Sequence, residues 1–445
     1  MNIRLLISIY ILVLTPIKAF SQNYPDQQII IKGSTDLFAN IEESENVVEN
    51  GNTIELADGA LEGYFILKPQ SASNFFNRGL PSWNGHAPED QSSSFKVLMR
   101  FKVNNLWQRW VTVGYWDKEI WPSYGYTTFT GGNVAIDYVK LDYYIKEFQF
   151  KVLFKRNSVG SEAPSVKQLG FFVSDSRTTD DVSVNTIVND NPGAIYIPTE
   201  FIYQSAVDPV IGGSICSPAS TSMVLRSYDI EVEPYEFALR TKDQYWGIFG
   251  VWPRAVQHAH EYGLEGSVTR YRNWSETYEI LNAGGRIVIS VGQPLSSAGH
   301  LIMLAGFDNN GNPIVHNSAY SNGEAYMHDK YDITKAWFEK GGISYTFYDS
   351  TNSMSVNSID SFKDRIKIFP NPVEDVFTLS IDHNSPKEKL HITILDAAGL
   401  ERYRKSEILS KGENSLKIDL HLIPGLYFLK IRIGNNTVVK KIIKF

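Results

Sequence analysis

The chain has 445 residues, of which 43% are hydrophobic and 20% charged, and this balance is that of a globular protein rather than a disordered one. Its formal net charge of −7 argues against a nucleic-acid-binding protein, because such proteins present a basic surface to phosphate groups. The length predicts about three domains.

The first residues, MNIRLLISIYILVLTPIKAFSQ, have the pattern of a secretory signal peptide. A basic start is followed by an apolar run from Leu5 to Ile17, and the small residues Ala19 and Ser21 mark a cleavage site. The apolar run is too short to span a membrane. We therefore expect residues 1–21 to be a signal peptide and the mature chain to be exported through the periplasm.

Residues 22–200 are predicted to form an all-β sandwich domain. In SSFKVLMRFKV, residues 93–103, apolar side chains recur at every second position, which is typical of a half-buried strand. FQFKVLF, residues 148–154, repeats this pattern. Aromatic residues on strands usually pack in the core, although a glycan-stacking platform is an alternative for the tryptophans of this segment. These are Trp83, Trp107, Trp110, Trp116 and Trp121.

Residues 201–349 mix helical and strand patterns and are predicted to form an α+β, papain-like domain. Helices are expected after Cys216, over WPRAVQHAHEYG and over NWSETYEILNAGG, where Asn273 and Glu276 fit a capping box. Three strands follow, RIVISV, HLIMLAGF and NPIVHNSA, and the DNNG sequence between the last two predicts a tight hairpin turn.

Residues 350–360 read as a polar linker, and residues 361–445 as a small Ig-like β-sandwich with short alternating strands. This tail holds 15 basic and 10 acidic residues, a charge of +5, which leaves −12 for the rest of the chain. The tail is therefore a different kind of segment from the region before it.

Cys216 is the only cysteine of the chain. It cannot close an internal disulfide, so it is a buried inert thiol, an intermolecular bridge or a reactive nucleophile. Pro218 fits the first turn of a helix and so places the thiol at a helix start, where unpaired backbone N–H groups and the helix dipole lower a thiol pKa. This placement is what a nucleophile needs.

A thiolate nucleophile also needs an imidazole and a third residue that orients the imidazole. Among nine histidines, His300 opens an apolar strand and is expected at a strand end, where clefts form. Asn317 lies on the returning strand, within a residue or two of register with His300. His316 is the rival for this third place, although strand parity points it to the opposite face. His258 and His260 diverge on their helix, so no metal site is expected.

The order Cys216, His300, Asn317 is that of papain-like cysteine peptidases, and the region resembles the bacteriocin-processing-type (C-thirty-nine-like) family of papain-fold cysteine peptidases. The matching stretches are ICSPASTSMVL, GHLIMLAGFDNNGNPIVHNSA and YDITKAWFEKGGISYTFY. The resemblance implies that Gln204 contributes to the oxyanion hole together with the backbone N–H of Cys216. Two positions depart from the family: Ser217 stands where glycine is commoner, and Asn317 lacks the negative charge of the commoner aspartate.

The tail carries a Pro-Asn-Pro opening at residues 370–372, Gly-Leu-Tyr at 425–427 and a basic ending at 440–444. In these features it resembles the C-terminal sorting domain of the type IX secretion system. The resemblance implies a Bacteroidota-type Gram-negative source, contact with the type IX secretion machinery, and a product released or held at the cell surface. An ordinary Ig-like adhesion domain is the alternative.

These features together predict a secreted or surface cysteine peptidase. Cys216 is the expected nucleophile, His300 the acid–base, Asn317 the orienting residue and Gln204 the oxyanion donor. A protein or peptide is the expected substrate, and no cofactor or metal is implied. Two alternatives stand beside this interpretation: an amidase acting on cell-wall peptides, and a glycan-binding surface protein whose middle domain is a degenerate scaffold.

Overall fold

The computed structural model describes residues 26–117, 121, 127–179, 183–349, 366–383, 387–396, 400–433 and 436–445. The predicted signal peptide and the predicted linker lie outside these residues. The described chain is mostly β-structure and falls into two compact units, one ending at Tyr348 and the other starting at Asp349. Within the described residues, no helix is both long and apolar enough to cross a membrane.

The first half of the first unit is a hydrogen-bonded sheet of thirteen strands. Its strands are β1 (Gln27–Lys32), β2 (Ile41–Glu45), β3 (Val47–Asn50), β4 (Thr53–Leu56), β5 (Glu62–Leu67), β6 (Gln70–His86), β7 (Ser93–Val103), β8 (Leu106–Trp107), β9 (Val111–Trp116), β10 (Thr127–Phe129), β11 (Gly132–Ala135), β12 (Tyr138–Arg156) and β13 (Ser165–Ser174). The long strand β12 pairs first with β6 and β11 and then with β5 and β7. We call residues 27–174 the β region; its sandwich arrangement stays a prediction.

The alternation read from the sequence is present in this sheet. Along β7 every second side chain is buried, from Phe95 to Val103, and the residues between them are partly exposed. Trp83 and Trp116 are fully buried in the core. Cations stand over the other tryptophans and occupy ring faces that a sugar would need: Arg100 over Trp107 and Trp110 at 4.9 and 4.6 Å, and Lys96 over Trp121 at 5.3 Å. Core packing therefore holds for Trp83 and Trp116, while Trp107, Trp110 and Trp121 are partly exposed beside cations, and nothing in them supports a glycan platform.

The second half of the first unit combines helices with a six-stranded sheet. The sheet strands are β14 (Ile195–Tyr196), β15 (Leu264–Arg270), β16 (Arg286–Val291), β17 (His300–Phe307), β18 (Pro313–His316) and β19 (Ile343–Asp349), in the order β14-β17-β16-β19-β15 with β18 also on β17. The α-helices of the whole unit are α1 (Gly33–Leu37), α2 (Ser176–Thr179), α3 (Val184–Ile187), α4 (Gln204–Val207), α5 (Cys216–Arg226), α6 (Pro234–Thr241), α7 (Trp252–Glu261), α8 (Trp274–Asn282) and α9 (Lys330–Phe338). Two short 3-10 helices occupy Phe38–Asn40 and Gly212–Ser214.

The three helices predicted around residues 216–284 are all present. The N-cap of α8 is Asn273, whose side chain accepts from the N–H of Glu276 across 2.8 Å. The return bond of the predicted capping box differs, because Glu276 Oε2 accepts from the N–H of Arg272, one residue earlier. The DNNG turn is also longer than expected: Phe307 pairs with Pro313, which leaves a five-residue loop.

The two halves of this unit pack through α7. Gln257 of α7 forms two hydrogen bonds with the backbone of Gly85, at 2.8 and 2.7 Å. Trp116 Nε1 donates to Glu261 across 2.7 Å. Leu80 and Phe172 of the β region belong to the same hydrophobic cluster as α5, α7 and the six-stranded sheet. The helix that carries the lone cysteine thus lies in a core to which both halves contribute.

The second unit consists of two antiparallel sheets that share one hydrophobic core. Its strands are β20 (Ile366–Phe369), β21 (Val376–His383), β22 (Glu388–Asp396), β23 (Glu401–Leu409), β24 (Gly412–Asp419), β25 (Gly425–Ile433) and β26 (Asn436–Lys444). The sheet orders are β20-β21-β24 and β23-β22-β25-β26. This arrangement fits the small β-domain expected from the sequence, while the Ig-like topology stays a prediction.

Candidate active site

Cys216 is the first residue of α5, at the helix end where backbone N–H groups lack partners within the helix. The backbone N–H groups of Ser217 and Leu301 lie near its Sγ and act to lower the thiol pKa. Pro218 suits this turn because a proline has no N–H that would need a partner. The residues that follow in α5 are buried, whereas Cys216 keeps part of its surface exposed. The thiol therefore stands at a helix N-terminus, in a residue that keeps part of its surface exposed.

His300 is the first residue of β17, and its imidazole interacts with the Cys216 thiol. Helix α5 packs on β17, and Ser220 Oγ donates to the carbonyl oxygen of Leu301 across 3.0 Å. Gly299 enters the strand with a φ of +85°, a conformation that favours glycine. The helix with the thiol and the strand with the imidazole are thus joined beside the reactive groups.

Asn317 directly follows β18, and its Oδ1 lies 2.8 Å from Nε2 of His300. The register of β17 and β18 pairs Met303 with His316. One further step places Asn317 opposite Ile302, two residues from His300 and on the same face of the hairpin. The contact between imidazole and amide is therefore a diagonal cross-strand contact.

Hydrogen bonds fix which end of the Asn317 amide faces the imidazole. The backbone N–H of Ala319 donates to Oδ1 across 3.1 Å, which identifies that atom as the carbonyl oxygen. Nδ2 then points to Nε2 of His328, 3.2 Å away. Since a carbonyl oxygen only accepts, His300 carries a proton on Nε2, and its Nδ1 is left to exchange a proton with Cys216.

The thiol and the imidazole shift each other's pKa in the direction of an ion pair. Burial acts to raise the pKa of the Cys216 thiol, but the hydrogen bond and charge of His300 and the two backbone N–H groups outweigh it, so the thiol pKa lies below its usual value. Burial acts to lower the pKa of His300, but the hydrogen bond and charge of Cys216 and the bond to Asn317 outweigh it and raise that pKa. The arrangement favours a thiolate beside an imidazolium.

Lys340, which follows α9, brings a further positive charge to this pair. Its Nζ donates to the carbonyl oxygen of Val291 across 3.3 Å and lies 2.5 Å from the position that a Cβ on Gly299 would take. Burial lowers the pKa of Lys340, and interaction with the Cys216 thiolate partly restores it. The same ammonium acts to lower the pKa of His300. Lys340 therefore stabilises the thiolate and opposes the imidazolium.

Gln204, the first residue of α4, is buried and held by the residue after Asn317. The backbone N–H of Gln204 donates to the carbonyl oxygen of Ser318 across 2.9 Å, and Ser318 Oγ donates to Gln204 Oε1 across 2.8 Å. Nε2 of Gln204 has no hydrogen-bond partner among the described residues. The side-chain amide thus has its oxygen occupied and its N–H groups free, as an oxyanion donor requires.

The structure does not bring the other candidate histidines into this chain of contacts. His316 is fully buried, and its Nδ1 accepts from the N–H of Ala325 across 3.2 Å. His258 pairs with Glu261, and His260 contacts the carbonyl oxygen of Leu264. In the part of the chain that the structure describes, no three His, Cys, Asp or Glu side chains are grouped so as to hold a metal ion.

Sequence reasoning missed three residues near the site: Ser318, His328 and Lys340. Ser318 had one available signal, because it adjoins Asn317 on a returning strand. His328 and Lys340 had no such signal, because both lie outside the strands. The loop after β18 brings His328 to the site, and the end of α9 brings Lys340 there.

Residues 196–352 match the Peptidase_C39 like family. They form a peptidase C39-like region. Residues 367–445 match the Secretion system C-terminal sorting domain, as the motifs at 370–372, 425–427 and 440–444 predicted. This sorting domain implies export by type IX secretion, to the cell surface or the medium. The thiol, the imidazole and both amide side chains of the site all lie within the peptidase C39-like region.

Several solved structures show weak similarity. A double glycine motif protease from an AMS/PCAT transporter, in complex with the leader peptide, is 19% identical, with 34% of this chain and 92% of that chain covered and a TM-score of 0.25. A Parabacteroides merdae β-glucuronidase is 12% identical, with coverage of 36% and 26% and a TM-score of 0.15. Dimeric latent PorU from Porphyromonas gingivalis is 11% identical, with coverage of 95% and 34% and a TM-score of 0.18. No curated protein matches the chain.

Proposed function

We propose that the peptidase C39-like region is a cysteine peptidase that hydrolyses peptide bonds. Cys216 is the nucleophile, His300 the acid–base, and Asn317 the residue that orients the imidazole. The observation that carries the proposal is the hydrogen bond between His300 and Asn317, together with pKa values of Cys216 and His300 that each group shifts toward an ion pair. The family match supports the same chemistry.

In the first half of the proposed reaction, the Cys216 thiolate attacks the carbonyl carbon of the scissile peptide bond. The C=O π electrons move to oxygen, and the resulting oxyanion accepts hydrogen bonds from the backbone N–H of Cys216 and from Gln204 Nε2. His300 donates its Nδ1 proton to the leaving nitrogen as the C–N bond breaks. The products of this half are a free amine and a thioester on Cys216.

In the second half, neutral His300 takes a proton from water, and the hydroxide formed attacks the thioester carbon. The C–S bond breaks, the thiolate returns, and a carboxylic acid leaves. Asn317 keeps Nε2 protonated throughout, so that Nδ1 is the nitrogen that gains and loses the proton. Because Asn317 is neutral, the thiolate and the imidazolium stabilise mainly each other.

The export route places the proposed activity outside the cytoplasm. We infer that the sorting domain delivers the peptidase C39-like region to the cell surface or the medium, where exported proteins or peptides are the accessible substrates. The machinery of type IX secretion is the expected partner of the tail, and a Bacteroidota-type organism the expected source.

The test compares the full exported protein with its Cys216→Ala variant in a proteome-wide search for newly formed peptide N-termini. We expect the variant to lose cleavage by roughly a thousandfold or more while keeping its melting temperature. Wild-type protein alkylated with iodoacetamide is the matched control, because Cys216 is the only thiol and the alkylated protein should behave like the variant. Cleavage retained in the alanine variant would refute the assignment.

The same pair of proteins separates a peptidase from a cell-wall amidase. Incubation with purified peptidoglycan should release no fragments beyond those released by the alanine variant. Release that depends on Cys216, without cleavage of any protein substrate, would move the assignment to an amidase on cell-wall peptides.

A further inference from the structure

His328 ends the chain of contacts that runs from the lone thiol through His300 and Asn317. The Asn317 amide has two clear bonds through its oxygen, from Ala319 N–H and from His300 Nε2. Its nitrogen contacts His328 Nε2 at 3.2 Å and no other acceptor among the described residues. The amide nitrogen is a donor, so His328 must present a lone pair on Nε2. His328 is therefore neutral in this arrangement, with its proton on Nδ1.

The His328 ring packs against two tyrosines of its own loop, the segment between β18 and α9. Its centroid lies 4.7 Å from that of Tyr326 and 6.2 Å from that of Tyr320. The ring is partly buried, so it is fixed in position yet accessible to protons from solvent.

We propose that His328 is a positioning residue: while neutral it holds the Asn317 amide with its oxygen toward His300, and on protonation it releases the amide. This rests on the proposed peptidase chemistry and goes beyond it. A protonated His328 has no acceptor at Nε2, so it can no longer bind the amide nitrogen, and the amide then keeps its two oxygen contacts but loses the one that opposes rotation at the nitrogen. A rotated amide would present N–H groups to a ring nitrogen that also carries a proton, and the imidazole would lose its orientation.

The charged groups around His328 define when this release occurs. Burial lowers the pKa of His328, the neighbouring His300 charge lowers it further, and Asp332 on α9 acts in the opposite direction. Tyr326 and Tyr320 are further titratable groups whose rings contact that of His328. His328 thus stays neutral at and above neutral pH and is protonated only under acid conditions. Its protonation would then be a second event, beside that of the catalytic pair, that lowers activity as the pH falls.

The experiment compares His328→Gln, which keeps a neutral acceptor, with His328→Phe, which fills the same space without one. Each is measured in the full chain by the rate of iodoacetamide alkylation of Cys216 and by kcat and KM, across the pH range. We expect the phenylalanine variant to lose roughly tenfold in kcat and in alkylation near neutral pH with KM little changed. The glutamine variant should keep kcat and the alkylation rate within a few-fold of the wild-type values. Its loss of activity at acid pH should depend on one protonation fewer than that of wild type.

His86→Gln is the matched control, since His86 lies on the β region, is 46% exposed and pairs with Glu162 instead. Equal losses in both His328 variants would overturn the proposal, because ring packing rather than the acceptor would then matter. So would a phenylalanine variant that matches wild type at every pH. Activity retained by Cys216→Ala would refute the peptidase assignment itself, whatever the His328 variants do.

A spectroscopic readout does not depend on turnover. In protein labelled with ¹⁵N-histidine, long-range ¹H–¹⁵N spectra should show His328 as the Nδ1-protonated tautomer above neutral pH. A spectrum in which Nε2 carries the proton would contradict the hydrogen bond to Asn317 and overturn the proposal.

Discussion

The charges of the residues around Cys216 and His300 determine how the candidate nucleophile is activated. Asn317 fixes the imidazole without adding a negative charge, so the imidazolium gains less than it would beside a carboxylate. The sulfur gains from two backbone N–H groups and from the Lys340 ammonium. The ion pair is therefore stabilised more on its negative member than on its positive one.

Replacing Lys340 by methionine tests this distribution of charge. Loss of the ammonium should raise the pKa of the Cys216 thiol, and also that of His300. The pH at which iodoacetamide alkylation reaches half its maximum rate should move upward. Lys335→Met, on α9 before Lys340, is the control and should leave the profile in place. An unchanged profile for the Lys340 variant would show that the ammonium does not act on the sulfur.

Two members of the site were predictable from the sequence because local patterns mark them. Cys216 precedes a proline at a helix start, and His300 opens an apolar strand after a glycine. Their proposed roles remain to be tested in solution, but the contact between them was expected. His328 and Lys340 carry no comparable mark, because their positions depend on where a loop and a helix end return in space.

At the level of elements, the β17–β18 hairpin determines where the orienting amide lies. The register slips between Leu304 and Gly306, and Gly306 has a φ of +145°. A Cβ on Gly306 would lie 1.9 Å from the carbonyl oxygen of Ile195 on β14, so only glycine fits this crossing. Beyond the slip, each residue of β18 pairs with a β17 residue one position further from the turn. Asn317 thereby comes opposite Ile302 and on the same face as His300. The sequence predicted the hairpin but gave no sign of the slip, which arises from packing against β14.

The loop after β18 also holds Asn317, through a backbone contact with Gly323. The N–H of Asn317 donates to the carbonyl oxygen of Gly323 across 2.8 Å, and a Cβ on Gly323 would lie 2.0 Å from the Asn317 carbonyl oxygen. We expect Gly323→Ala to displace Asn317, to lower kcat by roughly tenfold or more, and to reduce the unfolding free energy by about 1–3 kcal/mol. Kinetics and chemical denaturation measure the two effects.

Gly250→Ala is the matched control for this change. A Cβ on Gly250 would meet no atom within 4 Å, and Gly250 lies in the loop before α7. It should leave both kcat and stability near wild type. An active Gly323→Ala protein with unchanged stability would mean that the loop adjusts to the added methyl group without displacing the Asn317 side chain.

Across the whole first unit, the β region and the peptidase C39-like region support each other through buried polar contacts as well as through a shared core. One such contact is Asp137, whose Oδ2 accepts from the backbone N–H of Trp252 across 2.7 Å. Val251, the N-cap of α7, provides no side-chain hydrogen bond, so a carboxyl group from the β region serves that helix end. This pairing links residues far apart in sequence and had no local signal.

Asp137 predicts a pH dependence of stability for the whole unit. Burial raises the pKa of its carboxyl to about 7, against about 4 in the unfolded chain. Because the folded state holds the proton to higher pH, the stabilisation is complete below about pH 4 and is lost as the pH rises to about 7, a difference of at most about 4 kcal/mol. Asp137→Asn keeps an acceptor and does not titrate, so its melting temperature should fall less than that of wild type between these pH values.

Asp58→Asn, an exposed change in the same β region, is the control for that measurement and should follow the wild-type curve. If the melting temperatures of wild type and Asp137→Asn changed with pH in the same way, ionisation of the Asp137 carboxyl would not destabilise the fold. At this largest scale the sequence indicated the β-rich composition and the separate, more basic tail. It did not indicate which strand packs on which helix, because such pairings depend on contacts between distant segments.

The hydrophobic cluster that joins Leu80 and Phe172 to α5 has a consequence for limited proteolysis. The connection between the two halves includes exposed residues at 189, 191, 193 and 194. A protease cutting there would sever the chain without freeing either fragment, since the common interior and the Gln257–Gly85 bonds would still hold them. The nicked product should migrate as a single particle on a native gel and resolve into two bands only in detergent, so an apparent two-chain form would not imply two gene products.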